Sequence, residues 1–300
     1  MSLAQITSKS ARRAVRTVVG PVVPSLGQKR HASLAAEYRV TNLVERDGAV
    51  PLVWWPVTPN FGDLLSPWLF EKITGKPVVR GTPDQVNYVS IGSVLKRVTP
   101  KALVWGTGSF GNEQNEQIEL DAEYFAVRGP LTRARLVDLG ASVPKVYGDP
   151  GLLAPVYYWP DIPKTHEIGV VVRWSEGKWK EARLGPGVKL IDLGTDRIED
   201  TIDAMLACKR IVTSSLHGLV ISDAYGIPAA WLESGTPNGR DYKFHDYALS
   251  VNKHREPKRL QLHKQELTVK LLRDHFDFDS RAIEWSPRKL LDAAPFLSRR

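Results

Sequence analysis

From Val50 onward, short apolar runs alternate with stretches that repeat apolar residues at helical spacing, and after one break the alternation starts again. A strand that leads through a helix to the next strand must cross over the sheet, which makes neighbouring strands parallel and covers both faces with helices. The first series predicts strands over 50–55, 88–91, 102–105, 124–127 and 145–147, with helices over 63–74 and 130–139. Pro130 opens the second of these helices and Gly140 closes it. A Pro- and aromatic-rich connector, Tyr157-Tyr-Trp-Pro-Asp-Ile-Pro, ends the series. The second predicts strands over 168–172, 189–193, 210–213 and 228–232, helices over 197–207 and 216–225, and further helices over 264–275 and 287–296. The chain therefore reads as two doubly wound, Rossmann-like α/β domains facing a cleft, over 47–160 and 161–300, behind a basic peripheral segment, 1–46. Sheets of this kind bind ligands beyond the carboxyl ends of their strands.

Composition narrows the classes. Of 300 residues, 42% are hydrophobic and 25% charged, enough apolar content for real cores. The longest apolar run, 18–23, is broken by Gly20 and Pro21, far short of the roughly 18–20 residues of a membrane span. One cysteine, Cys208, excludes an internal disulfide framework and any cysteine cage for a metal. Its apolar neighbours mark it as a small buried hydrophobe. The first residues lack the continuous apolar core of a secretory signal, so a reducing cytoplasm is expected.

The net charge of +8 is concentrated at the ends: +6 over 1–46, −3 over 47–250 and +5 over 251–300. A nucleic-acid binder spreads basic residues over a folded face with aromatics between them, so no nucleic-acid partner is expected. Basic ends suit an anionic membrane surface. Leu3, Ile6, Ala14, Val15, Val18, Val19 and Val22 recur near helical spacing, with Lys9, Arg12, Arg13 and Arg16 largely between them. That pattern fits a basic helix lying on lipid headgroups; the other reading is a frayed tail.

Five loops carry polar residues directly after strand-like runs. In Pro59-Asn-Phe-Gly-Asp63, Asn60 and Asp63 fall where a helix begins, so Asp63 is either a helix cap or a site carboxylate. In Val104-Trp-Gly-Thr-Gly-Ser109, Gly106 and Gly108 let backbone amides approach an anion, or mark a tight turn. Arg128, in Phe125-Ala-Val-Arg-Gly-Pro-Leu-Thr132, ends a strand before a helix and can join the helix N-terminus in holding a phosphate or carboxylate. Asp149 sits in a Gly-Asp-Pro-Gly turn that turn chemistry alone explains. The richest loop is Thr213-Ser-Ser-Leu-His-Gly218, where Ser214 and Ser215 precede a helix and His217 lies in its first turn. Hydroxyls, free amides and an imidazole there suit anion binding and general acid–base work.

Taken in order over roughly 50–235, Asn60-Phe-Gly-Asp63, Gly106-Thr-Gly108, Val127-Arg-Gly-Pro-Leu-Thr132, Gly148-Asp-Pro150, Ser214-Ser-Leu-His-Gly218 and Ala224-Tyr-Gly-Ile-Pro228 resemble the polysaccharide pyruvyl transferase family. The resemblance implies a glycosyltransferase-B-like fold and an enzyme using phosphoenolpyruvate as donor. No cofactor and no metal are expected, since two arginines and a helix N-terminus can neutralise that donor and the five loops show no clustered His, Asp and Glu at ligand spacing. Its product would be a pyruvate ketal on a sugar of a polysaccharide or lipid-linked precursor, made at the cytoplasmic face of the membrane. Family members often carry Arg two residues before the histidine; Ser215 stands there, so Arg128 or Arg173 would supply the charge. On this reading His217 and Asp63 are catalytic, while Arg128, Asn60, Gly106, Gly108, Asp149, Arg173, Ser214 and Ser215 bind substrate. The nearest alternative is a nucleotide-sugar-dependent glycosyltransferase of the same fold. Asp277-Phe-Asp279 looks like a metal-binding Asp-x-Asp, but no strand precedes it, and a solvated face is expected there.

Overall fold

In a computed structural model, residues 26–56, 59–234 and 241–300 are described. Chain order runs α1 (Leu26–Ala36), β1 (Tyr38–Val40), β2 (Val50–Val53), α2 (Phe61–Thr74), β3 (Val78–Arg80), β4 (Asn87–Val89), β5 (Ala102–Trp105), β6 (Glu123–Ala126), α3 (Pro130–Asp138) and α4 (Ala154–Tyr157). It continues with β7 (His166–Val172), β8 (Val188–Asp192), α5 (Ile198–Leu206), β9 (Cys208–Thr213), α6 (Leu216–Ala224), β10 (Ala229–Trp231), α7 (Tyr242–Ser250), α8 (Val269–His275), α9 (Pro287–Asp292) and β11 (Leu297–Arg299). Two sheets are wholly parallel, one ordered β3-β2-β4-β5-β6 and the other β10-β9-β7-β8. The α/β class and the parallel pairing expected from the alternation are thus both present.

Strand order reverses between β2 and β4 in the first sheet and between β7 and β9 in the second. At such switch points the connections leave on opposite faces and open a crevice at the carboxyl ends. The sheets do not bury separate cores. One apolar cluster runs from Leu52, Leu65, Phe70 and Trp105 through Leu219 and Val220 to Ile202 and Ile211, so α2 and α6 lie between the sheets. Two further clusters cover the outer faces, around Val104 and Leu136 and around Val170 and Leu272.

Several expectations are corrected. Residues 145–147 form no strand, only a bridge from Tyr147 to Val127. Residues 26–46 are not peripheral: Leu34 and Tyr38 are buried in the central cluster, and β1 pairs antiparallel with β11. The amphipathic pattern over residues 3–22 lies outside the described residues. The end of the chain does not stay with the second sheet. Phe296 packs against Phe70, Tyr88 and Trp105, and the Trp105 indole donates to the Leu290 carbonyl (2.9 Å), so α9 and β11 close the first sheet. Asp277 is exposed and paired with Lys258, but Asp279 is only partly exposed and pairs with Arg281, Lys253 and Arg255, an ionic cluster rather than a solvated face. Cys208 is buried, which pushes its thiol up to about 11. Among the described residues no helix is long and apolar enough to cross a membrane.

Candidate active site

A pocket of about 400 Å³ opens at the carboxyl ends of the strands flanking both switch points. The loop after β2 supplies Trp55, Asn60 and Asp63, and that after β4 supplies Ser93, Lys96 and Arg97. The loop after β7 supplies Arg173 and Trp174, and that after β9 Ser215 and His217; Lys243 of α7 and, from the loop after β5, Phe110, Asn112 and Glu113 also line it. Five sequence-distant loops converge because the topology turns them toward the same crevice. Of the residues expected in the site, the fold brings together Asn60, Asp63, Arg173, Ser215 and His217.

His217 is the second residue of α6 and only 8% exposed. Its Nε2 lies 3.5 Å from Oδ2 of Asp149, a fully buried carboxylate. Neither atom has another hydrogen-bond partner among the described residues. The other carboxylate oxygen of Asp149 accepts from the Gly151 amide (2.9 Å), which fixes its direction. Asp149 therefore stands behind the imidazole, as a positioning residue rather than the substrate ligand that the family resemblance implies. A 3.5 Å separation is loose for a hydrogen bond, and such pairs tighten when the site is filled. Gly62 lies on the opposite side: a β-carbon there would sit 2.2 Å from His217 Nδ1. Only glycine lets the start of α2 approach the ring this closely.

Asn60 is the N-cap of α2, accepting from the Gly62 amide and donating to Asp63 Oδ2 (2.6 Å). Asp63 is thus not the cap. It faces the pocket, where burial pushes its carboxyl above the usual carboxylate range against the pull of His217 and Asn60. The Phe61 amide donates to the Leu193 carbonyl (2.9 Å), tying this helix start to the loop beyond β8.

Other expected ligands lie elsewhere. Arg128 is fully buried and its fork is occupied: Nε donates to Asp246 Oδ2 (3.0 Å), Nη1 to Ser93 Oγ (2.8 Å) and Nη2 to the Ser109 carbonyl (2.6 Å). Asp246 also accepts from the Thr132 amide and hydroxyl at the start of α3. The anion expected at this arginine and helix terminus is present, and it is a carboxylate of the protein itself. Gly108 is needed because the Arg128 guanidinium lies where its β-carbon would go, at 2.3 Å, and Gly106, at φ 100°, packs on Pro150. Neither glycine lines the pocket. The anion at their turn is Glu113, held by Ser109 Oγ (2.6 Å) and the Phe110 and Gly111 amides. Ser214 is buried and donates to Glu176, which also accepts from Ser234 (2.6 Å); Ser234 in turn accepts from Arg173 (3.2 Å).

Four cations line the pocket, Lys96, Arg97, Arg173 and Lys243, and burial shifts two of them. Burial lowers the Arg173 guanidinium from its ordinary value while Glu176 opposes the shift. Burial, reinforced by Arg173 and Arg128, pushes Lys243 down to about 7. Its ammonium lies 4.9 Å from the centre of the Phe110 ring. Sequence reasoning missed Lys243, because a lysine in an amphipathic helix carries no signal of its own. Among the described residues, no group of three His, Cys, Asp or Glu side chains has the arrangement of a metal site.

Comparison with known proteins points the same way. Residues 106–236 match the family described as polysaccharide pyruvyl transferase. An uncharacterized protein of Acanthamoeba polyphaga mimivirus is 30% identical over 212 residues, covering 64% of this chain and 70% of that protein. Succinoglycan biosynthesis protein ExoV of Rhizobium meliloti (strain 1021) is 27% identical over 225 residues, 70% of this chain and 67% of that protein. A solved but functionally uncharacterized protein of Klebsiella pneumoniae aligns over 80% of this chain and 100% of its own at 9% identity, with a TM-score of 0.44, too low to argue from. The family match covers His217 and its flanking loops, and the two relatives align over 64% and 70% of the chain: the protein belongs to the polysaccharide pyruvyl transferase family and is a transferase.

Proposed function

We propose that the protein transfers pyruvate from phosphoenolpyruvate to two hydroxyls of a sugar in exopolysaccharide biosynthesis, leaving a pyruvate ketal. The observation that carries this reading is the pocket itself, which sets a histidine backed by a buried carboxylate beside Asp63, Arg173, Lys243 and the start of α6. The donor bears a phosphate and a carboxylate, and two cations with a helix N-terminus suit both. Phosphoenolpyruvate gains a proton at its terminal carbon, one sugar hydroxyl adds to the adjacent carbon, phosphate leaves, and a second hydroxyl closes the ketal. The two hydroxyl protons balance the one placed on carbon and the one leaving with phosphate. His217 serves as general acid toward the donor, with Asp149 supporting its positive charge. Asp63, held on Asn60, orients the attacking hydroxyl and accepts its proton.

No cofactor or divalent metal enters this scheme, since the cations of the pocket meet the donor's charge. The two parallel sheets with a shared crevice support a glycosyltransferase-B-like arrangement. The acceptor, on this reading, is lipid-linked at the cytoplasmic leaflet, and the basic residues of the first 25 positions draw the enzyme to that surface.

The test is to incubate the protein with phosphoenolpyruvate and a panel of glycans, with and without a chelator. The expected result is phosphate release matched by a glycan mass gain of phosphoenolpyruvate less phosphoric acid, unchanged by the chelator. Consumption of a nucleotide sugar with no phosphate released from phosphoenolpyruvate would favour the glycosyltransferase reading instead.

A further inference from the structure

Trp174 is the only one of the nine tryptophans that is exposed, at 37%. It stands in the wall of the catalytic pocket, next in sequence to Arg173. Its indole has no ring, cation or hydrogen-bond partner among the described residues. Trp55, the other indole of the pocket, is engaged, with the Arg97 guanidinium 4.6 Å from its ring centre. The ring is open to a pocket whose other walls carry cations and carboxylates, which places one apolar face beside groups that bind hydroxyls. The donor cannot be that ligand, since phosphoenolpyruvate is small, strongly anionic and lacks an apolar face. A pocket of about 400 Å³ lies in the range that holds a drug-sized molecule, more than the donor fills.

We propose that Trp174 is the stacking platform for the acceptor, taking the C–H face of a pyranose ring so that its hydroxyls point toward Asp63 and His217. A pyranose fits because one of its faces is a patch of axial C–H groups, weakly positive against the negative face of an indole, while its rim carries the hydroxyls that the polar side of the pocket can bind. This assignment rests on the proposed pyruvyl transfer, and names the part of the site that reads the sugar.

Intrinsic fluorescence of the full-length protein and of Trp174→Phe is titrated with oligosaccharides ending in glucose, galactose or mannose, with UDP and with phosphoenolpyruvate. The expected result is a spectral change with at least one oligosaccharide that disappears in the variant, with no Trp174-dependent change from UDP or phosphoenolpyruvate. In turnover assays Trp174→Ala raises the acceptor KM by about tenfold or more and leaves the donor KM unmoved, while Trp174→Phe retains most of the affinity. The assignment is overturned if no oligosaccharide moves the Trp174 signal, if UDP alone does, or if Trp174→Ala shifts the donor KM instead. A sugar-dependent Trp174 signal without phosphate release would sink the pyruvyl-transfer reading and keep the sugar site. Phosphate release indifferent to Trp174→Ala would do the reverse.

Discussion

Gly62→Ala separates activity from stability more sharply than any other substitution in this site. The added methyl carbon would sit 2.2 Å from Nδ1 of His217 and 3.0 Å from its Cγ and Cε1. Ordinary contact begins near 3.4 Å, so ring and helix must part by about 1 Å. The imidazole cannot yield toward Asp149, which stands fixed on its far side by Gly151. A displacement of about 1 Å in a reacting group is enough for a loss on the order of 100-fold in turnover. Stability moves much less. Overpacking costs about 1–3 kcal/mol, and the gain in helix propensity from glycine to alanine returns about 1 kcal/mol. Thermal unfolding by circular dichroism should therefore show a fall of a few degrees at most, while phosphate release from phosphoenolpyruvate with acceptor falls about 100-fold. Gly108→Ala is the internal control: it collides with the buried Arg128 at 2.3 Å, outside the pocket, and should lower stability more than turnover per folded molecule. Near-native turnover in a folded Gly62→Ala protein would show that the placement of His217 does not govern the reaction, and the mechanism above would fall.

Asp149→Asn keeps the shape and the bond to Gly151 but removes the charge behind His217. A full unit charge at 3.5 Å corresponds to roughly 5 kcal/mol at an effective dielectric of about 20. The transition state carries part of that charge, so kcat should drop about 100- to 1,000-fold with the donor KM little changed; an equal loss in donor binding would contradict the positioning role. Asp246→Ala strands Arg128 as a buried charge and should cost about 3–5 kcal/mol in urea unfolding. A cost below about 1 kcal/mol would mean the arginine has another outlet. Lys243, lowered from 10.5 to about 7, binds fewer protons in the folded chain than in the unfolded one across that window. Its contribution to folding stability therefore rises with pH between those values, while donor affinity, which needs the ammonium, falls as pH climbs through about 7. Calorimetric titration with phosphoenolpyruvate should show that fall in the native protein and a flat, weaker profile in Lys243→Met; a native profile that is itself flat would remove Lys243 from the donor site.

The fold was legible where hydrophobic period and connection length agree. Residues 102–105 and 168–172 are continuous apolar runs bounded by turns, and both lie in strands buried on two faces. The short edge strand Val78–Arg80 escaped notice because three residues give no period to read. β1 and β11 escaped because their pairing joins positions more than 250 residues apart, through Arg39 and Ser298. The same distance hid the return of α9 to the first sheet, which depends on how Phe296 meets Phe70 and Trp105.

In the site, chemistry was legible and occupancy was not. The sequence marks three places suited to an anion: the glycine turn at 106–109, Arg128 before α3, and the start of α6. At two of them the fold supplies an anion of its own, because backbone amides and a guanidinium exert the same pull whatever answers it. At the glycine turn the answer is Glu113, a few residues along, and at Arg128 it is Asp246, over a hundred residues away on α7. Both carboxylates are buried and already answer these cradles, so substitution there is read first in unfolding; Glu113 also borders the pocket. The start of α6 differs. Its N-cap Ser215 makes no side-chain cap bond, and the terminus opens on the same pocket as Arg173 and Lys243. An arginine beside a helix start therefore cannot be assigned to a ligand from its motif alone, since a carboxylate folded in from another helix satisfies the same physics. What separates the two cases is which anion site the fold leaves unanswered by a carboxylate of its own, and here that is the one beside His217.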